Sequence, residues 1–265
     1  MIKLGVNSVL FKAFSFAEAA RAIKLAGYDG VEISAIQGMS EHLILDNWAA
    51  QKNELIAIAD SNGLEFLSTE VTTTDRERLS KAFEACAAIG IPVINVGSGG
   101  KTDEPGSLEE SIDILRDRAE LAESFGVTLC VKAHVGSSIH NTATTLEAMN
   151  NITSNAFGID MDPSHIWRAG ENPAEALPPV INRVKHIHIR DCKGPGPSPG
   201  DPDMQTCGRG DIDLYNYFKA MTDADYSGPV CLEIIGPDLP MTEAAIIAAE
   251  SYGYMNAVLK ALGAR

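Results

Sequence analysis

The chain has no apolar run approaching eighteen residues, no pair of cysteines spaced as CxxC, and too few cations to balance its anions. Each shortage excludes a class of function. Without a long apolar segment no membrane-spanning helix is expected, and Met1-Ile2-Lys3-Leu4-Gly5-Val6 has no basic stretch leading into an apolar one. Five cysteines (Cys86, Cys130, Cys192, Cys207, Cys231) are an odd number, and most fall in or beside predicted strands and helices, where a free thiol behaves as a small hydrophobe. A reducing, cytoplasmic setting is expected. Lys and Arg total 21 against 36 Asp and Glu, a formal net charge of −15 that repels phosphate backbones and anionic membranes. Neither nucleic acid nor membrane is an expected partner, a small-molecule substrate is, and homo-oligomerisation is left open.

No composition shift or linker marks a domain boundary in the 265 residues, 45% of them hydrophobic. Short apolar strands alternate with amphipathic helices from end to end. Eight repeats can be counted, with strands at residues 4–9, 29–34, 64–71, 92–96, 127–134, 157–162, 184–191 and 230–235. Helix ends are signalled by Ser15 with Glu18 and by Gly27, by Gly63, by Asp75 and Gly90, and by Ser107 with Glu110. The pattern predicts an α/β fold, a single (β/α)8 TIM barrel domain over 1–265, with a doubly wound open sheet as the competitor. The Gly- and Pro-rich stretch 193–202 is too irregular for an element and reads as a lid or binding loop.

Parallel strands of a barrel point one way, so polar residues at their C-terminal ends meet at one mouth. The stretch Phe157-Gly158-Ile159-Asp160-Met161-Asp162-Pro163-Ser164-His165 is the most informative. By period two, Asp160, Asp162 and Ser164 share a face, and Pro163 turns the chain out so that Asp162 and His165 can face one point. A carboxylate beside an imidazole is either a divalent-metal corner or a helix cap next to a wall histidine. His186 and His188 come from the next strand, and Glu233 from the last.

These residues carry a resemblance. Asp162-Pro163-Ser164-His165, then His186-Ile187-His188-Ile189-Arg190-Asp191, then Gly208-Arg209-Gly210-Asp211, then Leu232-Glu233 resemble the xylose isomerase-like barrel superfamily. That group holds tagatose/psicose-type epimerases, inosose dehydratases and isomerases of inositol breakdown, hydroxypyruvate isomerases, C-glycoside deglycosidases and type IV endonucleases. The resemblance implies one divalent ion (Mn, Mg, Co or Zn) on Asp162, His188 and Glu233, with His165 contacting substrate, Asp191 orienting His188 and Asp211 capping a helix. Where the epimerases carry a ligating glutamate on the fifth strand, this chain has Lys132. His134, two residues on, is then expected as a ligand or substrate contact.

Lys132 beside an ion would have a lowered pKa suited to a base or a carbonyl donor; the alternative is a counter-charge paired with Glu70 or Glu233. Glu32 and Glu70 are further candidate carboxylates, Trp167 stacks on a sugar ring or packs in the wall, and His42, His140 and Lys101 read as solvated loop residues. The leading expectation is a metal-dependent isomerase, epimerase or dehydratase that abstracts a proton next to the carbonyl of a keto-sugar, inosose or related polyol. Its catalytic groups are Lys132, Glu233 and His165, and its substrate contacts His134, His165, Glu70 and Trp167. The alternatives are a metal-free Schiff-base lyase on Lys132 and a non-catalytic sugar-binding barrel. The endonuclease reading fits worst, because the early strands offer Glu32, Glu70 and a glycine-rich loop instead of histidines.

Overall fold

A computed structural model describes residues 1–265. Its strands are β1 (Lys3–Asn7), β2 (Gly30–Ile36), β3 (Glu65–Glu70), β4 (Val93–Gly97), β5 (Thr128–Lys132), β6 (Phe157–Met161), β7 (Val184–Ile189) and β8 (Pro229–Leu232). Each is parallel to the next, and β1 pairs with both β8 and β2, so the sheet closes. Closure excludes the open doubly wound sheet. A two-residue strand, Ser40–Glu41, adds an antiparallel edge to β2.

The helices obey the local signals. Ser15 and Glu18 form a reciprocal capping box ahead of Phe16–Ala26, which Gly27 ends at φ 107, a left-handed conformation costly for any residue with a Cβ. Asp75 caps Arg76–Ile89 as expected. Ser107 does not cap: Gly106 holds the N-cap position of Ser107–Phe125, and the Ser107 hydroxyl instead accepts the Lys101 N–H at 2.8 Å. Asp211 does not cap either. Its carboxylate accepts the Gly194 N–H at 2.9 Å and pairs with Lys193, while Asp213 caps Leu214–Asp223.

Sixty-five buried residues form one contiguous apolar cluster between strands and helices. The barrel interior differs from that apolar layer. Asn7, Glu32, Ser68, Asn95, Asp160, His186 and His188 are all fully buried, where barrels commonly stack branched aliphatics. All five cysteines are free and buried. No helix is long and apolar enough to cross a membrane.

Candidate active site at the mouth of the barrel

The strand ends enclose a cavity of about 470 Å³ whose lining includes Glu70, Lys132, His134, His165, Arg190 and Glu233. Its floor is a row of ion pairs. Lys132 Nζ donates to Glu70 Oε1 at 3.1 Å and to Glu233 Oε1 at 2.9 Å. Arg190 stands next in line, with Nη1 3.1 Å from Glu233 Oε2 and Nη2 2.9 Å from Asp162 Oδ2. The same guanidinium donates through Nε to Ser164 Oγ at 2.7 Å and through Nη2 to His165 Nε2 at 2.8 Å. Ser164 in turn donates its N–H (2.8 Å) and hydroxyl (2.6 Å) to Asp162 Oδ1, a consequence of the turn that Pro163 imposes.

Two cations therefore meet three carboxylates, and the sharing is unequal. Glu233 faces both Lys132 and Arg190, whereas Glu70 faces Lys132 and the neutral Asn7 amide, which donates at 2.7 Å. Burial acts to raise Glu233, but Lys132, His188 and Arg190 outweigh it and hold it well below the carboxylate range. Burial, then the Glu233 charge, pushes Glu70 up to about 8 despite Lys132. Glu233 keeps the negative charge and Glu70 keeps a proton. Lys132 moves opposite to the sequence expectation: burial acts to lower it, but Glu233 and Glu70 prevail and raise it, so it is a charged ammonium.

Beneath the floor lies a second buried network. His188 donates Nδ1–H to Asp160 Oδ2 at 2.6 Å and Nε2–H to Glu32 Oε2 at 2.5 Å, while Asn95 donates to Glu32 Oε1 at 2.6 Å. A ring donating from both nitrogens is an imidazolium, and Asp160 and Glu32 raise His188 well above its ordinary value against burial. Asp160 also accepts from His186 Nδ1 at 2.9 Å, and His186 Nε2 accepts from the Ser68 hydroxyl at 2.9 Å. Asp160, not Asp191, orients His188. Asp191 instead accepts N–H groups of Cys192, Gly208 and Ile212 at 2.9 to 3.1 Å and clasps the base of the 193–202 loop. Gly210 packs against that carboxylate, where a Cβ would collide.

The two wall histidines differ. Their rings lie 3.9 Å apart, centroid to centroid. Since Arg190 can only donate, His165 Nε2 is the acceptor and its lone pair is committed. The Nδ1 then carries the hydrogen, so the 3.3 Å approach of the Val135 N–H to Nδ1 sets two donors face to face and is not a bond. Burial, then the Arg190 charge, keeps His165 neutral, well below its ordinary pKa. His134 donates Nδ1–H to its neighbour Val135 O at 2.8 Å, which fixes the tautomer and leaves the Nε2 lone pair free. Burial, followed by the Lys132 charge, lowers His134 as well.

Three groups of side chains bring potential ligand atoms within 4.8 Å of one another: Glu70–His188–Glu233, Asp160–His186–His188, and Glu32–His186–Cys231. Asp162 and His134 belong to none, so the expected quartet of Asp162, His188, Glu233 and His134 is not assembled. In the one group that reaches the cavity, Lys132 bonds both carboxylates and His188 has no lone pair to give. As arranged, these residues do not fit a divalent ion. Trp167 does not line the cavity; it lies on the short helix Pro163–Arg168 and packs against the apolar core. The 193–202 loop does not line it either. His42 is not a solvated loop residue: Nε2–H donates to Phe14 O at 2.9 Å, and Nδ1 meets Ser8 Oγ at 2.8 Å. Arg190 was not among the expected residues, although alternation places it on the face of His186 and His188.

Residues 20–256 match the family model described as xylose isomerase-like TIM barrel. An inosose dehydratase of Clostridium botulinum (strain Alaska E43 / Type E3) is 25% identical over 264 residues, covering 84% of this chain and 83% of the relative. Among solved structures, a crystal structure of IOLI protein with a binding zinc atom superposes with TM-score 0.79 at 20% identity, covering 98% of this chain and 99% of that one. A D-psicose 3-epimerase determined in the presence of D-fructose superposes with TM-score 0.79 at 14% identity, covering 97% and 99%. Closed barrel topology, the C-terminal-half motifs and the family match agree, and the chain belongs to the xylose isomerase-like TIM barrel family.

Proposed function

We propose that this chain is an enzyme of the cytoplasm, one barrel domain over residues 1–265, acting on an inosose, keto-sugar or related polyol. It removes a proton from the carbon next to a carbonyl and ends in dehydration, epimerisation or isomerisation. The observation that carries the reading is the pairing, in one polar cavity, of fixed cations with a neutral imidazole whose Nε2 is free. An inosose dehydratase and a sugar epimerase among the similar proteins support the substrate class.

In this scheme His134 Nε2 takes the proton, and the C–H electron pair becomes part of a carbon–carbon double bond as the carbonyl π pair moves onto oxygen. For dehydration, the oxygen pair returns to the carbonyl and the carbon–carbon pair shifts to the next carbon, whose hydroxyl leaves with the proton held by Glu70, so one water departs and the net proton count is unchanged. Glu233 remains ionised and keeps Lys132 in place, and His165, accepting from Arg190, holds the guanidinium at the wall. A Schiff base on Lys132 is disfavoured, because an ammonium clasped by two carboxylates is not a nucleophile.

A second reading keeps the divalent ion, Mn, Mg, Co or Zn, on Asp162, His188 and Glu233 with His134. Favouring it, Asp162 Oδ2 and Glu233 Oε2 are buried without an aligned hydrogen bond.

The test is a proton-NMR screen of inososes, D-tagatose, D-allulose and D-fructose with the purified protein. Conversion of at least one, lost in His134→Gln, is expected. No conversion across the panel, with and without added Mn2+, contradicts the proposal.

A further inference from the structure

We propose that the floor of the cavity takes the carbonyl and neighbouring hydroxyl oxygens of an α-hydroxy ketone directly on Lys132 and Arg190, which stand in place of a divalent ion. The inference deepens the proposed function and rests on it for the substrate class, though not for the absence of an ion requirement.

The oxygens that a metal would need each lie against a cation or a neutral donor. Lys132 faces Glu70 Oε1 and Glu233 Oε1 at 3.1 and 2.9 Å, and Arg190 faces Glu233 Oε2 and Asp162 Oδ2 at 3.1 and 2.9 Å. The remaining oxygens are taken by neutral donors, Glu70 Oε2 by Asn7 and Asp162 Oδ1 by Ser164. A zinc-sized ion binds a carboxylate oxygen at about 2.1 Å. Placed on any of the four, it would stand within about 5 Å of an ammonium or guanidinium that burial keeps unscreened. The deeper layer offers no relief, since both nitrogens of His188 are spent on Asp160 and Glu32.

The cations nevertheless have capacity left. An ammonium has three N–H groups, and Lys132 spends two on Glu70 and Glu233. A guanidinium has five, and Arg190 spends two on Ser164 and His165, while Asp162 and Glu233 stand beside it as ion pairs without an aligned hydrogen bond. Both side chains line the cavity, so two adjacent positive charges with unspent N–H groups border the space where a ligand's paired oxygens would sit. Negative charge developing on the carbonyl oxygen during proton removal is met by these groups without reorganisation. A ketone flanked by a hydroxyl offers the matching pair of oxygens.

Metal occupancy tests this without reference to turnover. Wild-type protein and Lys132→Glu are dialysed against Mn2+ or Zn2+, then against buffer, and their metal content is measured by elemental analysis alongside circular dichroism. Lys132→Glu replaces a repelling cation with a ligand and is expected to retain at least about tenfold more ion than wild type. Near-stoichiometric ion in the wild type overturns the inference, and needs no variant. So does a folded Lys132→Glu protein that gains none. Where a substrate has been found, turnover after chelator treatment is expected to be unchanged, and a loss restored by added metal overturns it. An inactive protein that still excludes metal counts against the proposed function and leaves the cation assignment standing.

Discussion

Replacing Glu70 by Gln separates the two carboxylates that flank Lys132. Both sit about equally far from the ammonium, at 3.1 and 2.9 Å, yet Glu70 is pushed up to about 8 while Glu233 is held far below. A raised folded-state value means that the folded protein keeps a proton the unfolded chain has lost. Between the unfolded value of 4.5 and the folded value of about 8, wild-type stability therefore falls as pH rises, being fully present below 4.5. At about 1.4 kcal/mol per pH unit, the span corresponds to at most roughly 5 kcal/mol. Glutamine is neutral like the protonated acid and cannot ionise, but its NH2 must face Lys132 or Asn7, so Glu70→Gln carries a constant cost and gains on wild type as pH rises from 5 to 9. With about 2–4 °C per kcal/mol for a chain of this size, the gap in melting temperature should change by roughly 10 °C over that range. Thermal unfolding of both proteins from pH 5 to 9 measures it, and the difference between them cancels every other titrating group. A gap that stays constant across the range refutes the assignment of the proton to Glu70.

Other perturbations have equally definite outcomes. Arg190→Met leaves Asp162 and Glu233 buried beside no guanidinium and should cost about 3–5 kcal/mol, read as a drop in the denaturant midpoint. Asp160→Asn removes the charge and one of the two oxygens that accept from His186 and His188; thermal unfolding at pH 7 should show a loss of similar size, about 3–5 kcal/mol, partly regained at higher pH as the abandoned His188 proton leaves. His134→Gln should lower turnover by about 10²–10⁴-fold with little change in melting temperature, because the ring is half-buried and bonded only to its neighbour's carbonyl.

The fold was legible because its signals are local. Capping boxes, left-handed glycines and the regular return of apolar strands mark each repeat in turn, and strand closure follows from eight of them. Ser107 and Asp211 failed as caps because serine and aspartate serve loops as readily as helices, here accepting from Lys101 and Gly194. The site was legible as a set of residues and less so as a set of partners. Alternation along β7 puts His186, His188 and Arg190 on one face and Asp191 on the other, which already disqualifies Asp191 as the support of His188. Asp160 was on the right face of the neighbouring strand. Lys132 was readable as a counter-charge, but its hold on two acids at once depends on the barrel bringing β3 and β8 to the same point, and no spacing in the chain encodes that distance. For Trp167 the sequence leaves open stacking on a sugar ring or packing in the wall, and the short helix after Pro163 packs it, partly buried, against the core.

In the proposed reaction the mouth of the barrel removes a carbon-bound proton next to a carbonyl. Incubating the protein in D2O with an inosose or ketohexose and following the proton on that carbon by NMR tests it most directly. Loss of the signal at a rate proportional to enzyme concentration, and its persistence with His134→Gln, is the predicted result. Substrate that is converted while keeping that proton undiluted contradicts the account.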